Sequence, residues 1–272
     1  MADLLGRGYI GGGSIAAIAG ISPFSTPLDA WFHIVEPEKY EAEEIEFFEN
    51  RKALESYACW RFEKNTGRKI VMTNQRYHDP VLPFAKAEID GETNDGENVE
   101  IKTVREAMRD HWGDPSQLES PPGYVEAQEQ WGFGVTGRDF GYVMALIGFD
   151  DQRVYEVQRD DEDIDTLRRM ASNFWQFYVV PRRMPEPTTA DDLQRLFPRG
   201  TGRKVEAAED VLKALEQRDR LKRQVRLATA ELTPVEFTIK NHMRDAHELT
   251  HRGKVVATWK PTANGSRVLR VL

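Results

Sequence analysis

Residues 87–104 read AEIDGETNDGENVEIKTV. Two runs of alternating apolar and polar residues, FAKAEIDG (84–91) and NVEIKTV (98–104), flank the turn-forming ETNDGE, which predicts a strand–turn–strand. Side chains alternate along a strand, so Glu100 and Lys102 share a face while Ile89, Val99 and Ile101 take the opposite parity. Adjacent strands about 4.8 Å apart bring Asp90 beside Glu100 in a suitable register. Two carboxylates so placed make an oxygen-rich site suited to Mg2+ or Mn2+, and the Ile101 carbonyl adds a ligand. Lys102 then faces the same space, positioned to orient or deprotonate water or to stabilise charge on phosphate. The chemistry this implies is hydrolysis of a phosphodiester by a metal-activated water. Taken alone, D-x9-E-x-K is a weak pattern in a chain with 45 acidic residues, and a solvated charged hairpin explains it better.

Outward from this hairpin the chain alternates helix and strand. A glycine-rich turn and a helix are predicted over 10–35, with Thr26 as N-cap and Pro27 at N1. Residues 41–66 have a long helical pattern ended by Gly67. KIVMTN (69–74) reads as a strand, GYVEAQEQWGFGVTG opens as a helix, and 140–149 and 153–159 form a strand pair. An amphipathic helix stops at Pro181. The order implies a mixed sheet flanked by helices, an α/β (α+β) architecture. The domain reading is a core over 1–185, a proline-rich linker over 186–202 and a basic helical extension over 203–272. That extension is read as a helix over 203–231, a second short helix opening at Thr233 and Pro234, and a closing β-hairpin.

The chain has 272 residues and a net charge of -8. The charge is uneven: residues 1–198 hold 21 basic and 36 acidic side chains, net -15, and the rest hold 16 and 9, net +7. An acidic body with a basic tail suits an enzyme that holds metal with carboxylates and tracks phosphates elsewhere. An ordinary charged helical tail fits the same numbers, as does an oligomerisation or docking surface. The single cysteine, Cys59, excludes an internal disulfide and any four-cysteine zinc or iron–sulfur site; it reads as a packing residue. The histidines show no metal-ligand spacing. Trp112, Trp131 and Trp175 read as packing residues, with Trp112, in a polar loop, the one open to a strand-parting role. Mean hydropathy is -0.60 and no apolar run reaches the roughly 18–20 residues that span a bilayer, so no membrane role and a cytoplasmic location are expected.

Several segments resemble, in order, the YqaJ-like viral recombinase family that includes the lambda-type phage exonucleases, within the PD-(D/E)xK nuclease superfamily. The resemblance covers about residues 7–180. GGGSIAAIAGISPFSTPLDAW looks like the family's opening segment, ALESYACWRFEKNTG like the helix whose glutamate reaches the metal, and AEIDG with VEIKT like the catalytic strands. PPGYVEAQEQWGFGVTG is similar to the following helix with its Gln-x-Gln. The resemblance implies a restriction-endonuclease-like fold and phosphate-binding roles for Arg7 and Ser14. It makes Glu55 a further metal ligand beside Asp90 and Glu100, and places Gln128 and Gln130 at the DNA. Each has a plainer reading beside it: Ser14 as a helix cap, Arg7 as a terminal residue, Glu55 as a surface helix position. Gln128 and Gln130 lie about 200° apart on a helix, so one of them, with Gln128 favoured, enters the site.

The implied activity is a Mg2+-dependent deoxyribonuclease, with two ions per site, degrading double-stranded DNA ends 5′-to-3′ for recombination by single-strand annealing. A phage annealing protein as partner and a trimeric ring are implied as well. An endonuclease or nickase on the same core, or an inactive DNA-binding accessory protein, are the alternatives. Two departures stand out. Glu88 occupies a position that relatives give to a small serine-type residue, two before Asp90, and the tyrosine preceding the glutamines is displaced to Tyr124.

Overall fold

The computed structural model describes residues 8–37, 45–148, 150–262 and 265–272, with main chain alone for 45–53. The chain divides into two compact units, residues 1–199 and 200–272.

The first unit is built on five strands: β1 (Ile70–His78), β2 (Lys86–Thr93), β3 (Asn98–Val104), β4 (Phe140–Ile147) and β5 (Asp151–Gln158). They lie side by side in chain order. All neighbours are antiparallel except β3 and β4. A parallel pair needs a crossover connection, and α4 (Gly123–Thr136) supplies it. The mixed sheet flanked by helices is thus as expected. β2 and β3 meet where 87–104 predicts a hairpin: Gly96 takes positive φ, and the Thr93 hydroxyl donates to the Glu97 carboxylate at 2.7 Å across the turn.

One face of the sheet is covered by α3 (Ile45–Thr66), whose Ala58 and Phe62 pack on Val99, Ile101, Tyr142 and Met144. Cys59 packs at the edge of this cluster. On the other face Val125 and Phe133 of α4 and Ile164 of α5 (Asp161–Phe174) meet Val143, Ala145 and Ile147. Each of these large, fully buried apolar side chains contributes about 1.5–3 kcal/mol. Trp112 is buried against this second cluster beside Tyr155, and the Tyr155 hydroxyl donates to the Gly113 carbonyl at 2.6 Å. A strand-parting role for Trp112 is thereby corrected: its polar loop is pinned onto β5 and the indole is enclosed.

The glycine-rich N-terminal segment reaches the sheet through a main-chain bridge. The Ile10 amide donates to Phe84 at 2.7 Å, and the Lys86 amide donates to Ile10 at 3.0 Å. This sets α1 (Gly12–Ile18) against the start of β2. In α2 (Pro27–Val35) Thr26 and Asp29 exchange the reciprocal bonds of a capping box behind Pro27. The segment expected as a linker contains α6 (Ala190–Leu196), and Asp192 accepts from the Thr26 hydroxyl at 2.9 Å. That contact ties 188–196 to α2, so this stretch is ordered structure within the first unit.

In the second unit a single helix, α7 (Glu209–Met243), runs through Pro234. The expected break at Thr233 does not occur, since proline removes one N–H bond yet its fixed φ remains helical. Three strands follow, β6 (Glu248–His251), β7 (Lys254–Pro261) and β8 (Arg267–Val271), in an antiparallel sheet where a two-stranded hairpin was expected. Among the described residues no helix is long and apolar enough to cross a membrane.

Candidate active site

The β2–β3 ladder pairs Gly91 with Val99 and Glu92 with Asn98, and stops there. Beyond that point the Asp90 carboxylate takes over the hydrogen bond that a backbone carbonyl would otherwise accept: the Ile101 amide donates to Asp90 Oδ2 at 2.8 Å. The two strands are held together at this level by a side chain, which sets Asp90 against the level of β3 that carries Glu100 and Lys102. Burial along β2 alternates up to Asp90, after which Gly91, Glu92 and Thr93 are buried in succession. Ile89 packs towards Gly132 of α4, while Val99 and Ile101 face α3. The simple parity expected for Ile89, Val99 and Ile101 therefore fails at this break in β2.

Glu100 is buried, and Lys102 is partly exposed. The Lys102 ammonium donates to Glu100 Oε1 and, at 2.9 Å, to Gln128 Oε1; the Gln128 amide nitrogen donates back to Glu100 Oε1 at 2.6 Å. The three side chains close a triangle between β3 and α4. Gln130 lies elsewhere. It is buried, donating to the Gln158 carbonyl at 2.7 Å and accepting from the Asp160 amide at 2.9 Å. Both ends of its amide are used to join α4 to the β5–α5 connection, so of the two glutamines Gln128 alone belongs to the site.

The electrostatics are those of crowded carboxylates. Burial pushes Glu100 up to about 7, with the Asp90 carboxylate adding to the rise and Lys102 opposing it. Asp90 is raised, chiefly by burial, against the pull of Lys102 and the Ile101 amide. Burial alone would lower Lys102, yet the Glu100 and Asp90 charges outweigh it and hold the ammonium above its ordinary value. Glu55, partly buried on α3, acts on Glu100 from the same side as a further negative charge. Cys59 is raised to about 11 by burial and then by Asp90 and Glu55, so its thiol stays protonated and unreactive.

Among the described residues, no three His, Cys, Asp or Glu side chains are gathered closely enough to ligate one ion as they stand. The donor chemistry nevertheless fits a hard divalent cation. The groups facing one another are carboxylate oxygens, and their raised pKa values mark an excess of buried negative charge that a cation would relieve.

Asp90 and Gln128 open onto a cavity of about 360 Å³ whose opposite wall is Tyr9, Gly11, Gly12, Gly13 and Ser14. Gly11 is the N-cap of α1, which places Ser14 at the third helical position. The plain capping role for Ser14 is thus corrected; its side chain lines the cavity instead. A methyl group on Gly12 would lie 2.7 Å from Gln128 Cγ, so glycine is what allows α1 to approach the triangle. Glu88 lines the cavity too, half exposed and paired with Arg76 at 2.5 Å, and its charge adds to the rise of Asp90. Arg7 lies outside the described residues. Tyr9, Ser25 and His33 of the cavity wall carry no motif in the sequence, and only the folded course of the N-terminal segment brings them here.

Residues 5–139 match the sequence profile of the YqaJ-like viral recombinase domain. That span holds the α1 wall, β2, β3, Gln128 and Lys102 together. Residues 5–139 are a YqaJ-like viral recombinase domain. YqaJ of Bacillus subtilis (strain 168) is 24% identical over 266 residues, covering 95% of this chain and 82% of its own. The likeness to that recombinase-domain protein therefore runs through the second unit as well. An alkaline exonuclease from Laribacter hongkongensis superposes with a TM-score of 0.49 at 17% identity, over 70% of this chain and 94% of that one. A phage-related exonuclease from Haemophilus somnus 129PT gives 0.47 at 13% identity, over 64% and 95%.

Proposed function

We propose that this protein is a Mg2+-dependent deoxyribonuclease that hydrolyses phosphodiesters of double-stranded DNA from its ends, in the 5′-to-3′ direction, for recombination by single-strand annealing. The observation that carries the proposal is the arrangement of Asp90, Glu100, Lys102 and Gln128 at the cavity faced by α1. Asp90 and Glu100, with Glu55 and the Ile101 carbonyl, would hold two Mg2+ ions, or Mn2+ in their place. Bound there, such ions supply Lewis acidity and lower the pKa of water.

The chain's own groups do the rest. Lys102 is held protonated by the carboxylates beside it, which makes it a fixed cation towards a phosphate and excludes it as a base. Gln128 fixes Lys102 and Glu100 relative to each other through the two ends of one amide. Across the cavity, the Ser14 hydroxyl and the first-turn amides of α1 would bind the 5′-terminal phosphate, with Arg7 as its counter-ion. A processive enzyme of this kind would act as a ring-shaped homo-oligomer and hand its single strand to a phage annealing protein in the host cytoplasm.

The test is digestion of linear duplex labelled separately at each 5′ and 3′ end, beside covalently closed circular DNA. Loss of the 5′ label with the closed circle spared supports the proposal. Nicking of the circle would make the protein an endonuclease. Ser14→Ala should reduce the preference for 5′-phosphorylated ends, and an equal loss on phosphorylated and unphosphorylated ends would remove Ser14 from that role.

A further inference from the structure

Helix α7 of the second unit has no cover over most of its length: every residue from 209 to 235 is exposed. Exposed helices in water draw little stability from propensity alone and depend on burying an apolar stripe. α7 carries such a stripe with unusual regularity. Leu221, Val225, Ala228, Leu232, Val235 and Ile239 follow one another at alternating steps of four and three, the 3.5-residue period of a coiled-coil seam. Leu221, Val225, Leu232 and Val235 are each about half or more exposed. On another face Asp219, Lys222, Arg223 and Arg226 line a shallow, open depression, so the polar side of the helix is distinct from the seam. Leu227 and Phe237 are exposed off the seam.

We propose that α7 pairs through this seam with α7 of a second copy of the chain, antiparallel. The flanking charges select the occupant and its direction. With Val225 and Leu232 at a positions and Leu221, Ala228 and Val235 at d, the flanking g and e positions hold Gln224 and Glu231, and Lys222, Thr229 and Glu236. A parallel pair sets Glu231 of each copy against Glu236 of the other and stacks Arg218 on Arg218 at an a position, and both are like-charge contacts. An antiparallel pair removes both. Its layers are Leu221 on Leu232 of the partner subunit, Val225 on Ala228 of the partner subunit, and Arg218 beside Val235 of the partner subunit. Its edges bring Gln224 to Glu231 of the partner subunit and Lys222 to Thr229 of the partner subunit, with no repulsion. Large residues meet small ones across the central layer, which fills the seam evenly. The pairing does not depend on the nuclease reading.

The test uses the full chain with Cys59→Ser, so that no native thiol remains. Leu221→Cys and Leu232→Cys are made in separate chains and treated with a short bis-maleimide, alone and mixed. The antiparallel pair predicts a cross-linked dimer in the mixture and its loss in either variant alone. Efficient cross-linking of Leu221→Cys by itself would show a parallel pair and overturn the proposal. No cross-link in any sample, repeated with Val225→Cys mixed with Ala228→Cys, would overturn it too, leaving another segment or another protein as the cover of α7.

Discussion

A carboxyl group closed inside a protein with an unsatisfied oxygen stays neutral, and Glu129 is such a group. It is buried, its Oε1 has no hydrogen-bond partner, and burial followed by the Glu100 and Asp90 charges raises it well above the ordinary 4.5. Because the folded pKa exceeds the unfolded one, the folded chain holds more protons above about pH 4.5, and stability falls as pH rises towards the folded value. Glu129→Gln, neutral at every pH, should raise Tm at about pH 8 and make little difference near pH 5; thermal unfolding across that range checks it, and a Tm difference that ignores pH would contradict the assignment. Nothing in EAQEQ singles this residue out. Helical periodicity separates Gln128 from Gln130, but which residue between them is buried depends on how α4 sits on β4, where Gly141 leaves room for the carboxyl. Asp90, Glu100 and Lys102 were legible because strand alternation and a short turn are local properties. Their closeness to Gln128, by contrast, needs the parallel crossover.

At the scale of elements, the site depends on a close approach between α1 and α4 at Gly12. An added methyl would press on Gln128 Cγ at 2.7 Å, an atom near the root of its side chain and slow to move aside. Gly12→Ala should displace Gln128 from Lys102 and Glu100 and lower DNA cleavage on the order of 10–100-fold, the effect of a misplacement near 1 Å. Activity with unchanged circular dichroism is the measurement, and full activity would show that Gln128 is dispensable. The strands themselves were legible: NVEIKTV becomes β3 residue for residue. The break in β2 after Asp90 was not, because it arises where the strand leaves its ladder with β3 and the Asp90 side chain substitutes for a backbone acceptor. Pro234 misled for a related reason. A proline ends a helix in most sequences, yet α7 continues through it, and neighbouring Thr233 bonds back to the Thr229 carbonyl at 2.8 Å.

At the scale of the whole molecule, the division of charge follows the division of structure. The acidic residues 1–198 correspond to the first unit, which contains the crowded carboxylates, and the basic remainder to the unit carrying α7. Salt should therefore weaken DNA binding through the second unit, since Lys222, Arg223 and Arg226 meet phosphate by charge alone. Replacing these three with glutamine should flatten the salt dependence of binding, with a slope change of up to about 3 in log K against log salt, measured by titration of duplex with Asp90→Asn protein; an unchanged slope would place the DNA elsewhere. Composition made this asymmetry visible, whereas polarity, ring formation and an annealing partner have no local signature in the residues. The central claim is that Asp90, Glu100 and Lys102 form a metal-dependent nuclease site. It is tested most directly by cleavage of linear duplex with and without added Mg2+, using the native chain, Asp90→Asn and Glu100→Gln, with DNA binding measured on the same samples. The account predicts cleavage by the native chain that requires Mg2+, and its loss in both variants while binding persists. Metal-independent cleavage, or full activity in either variant, would contradict it.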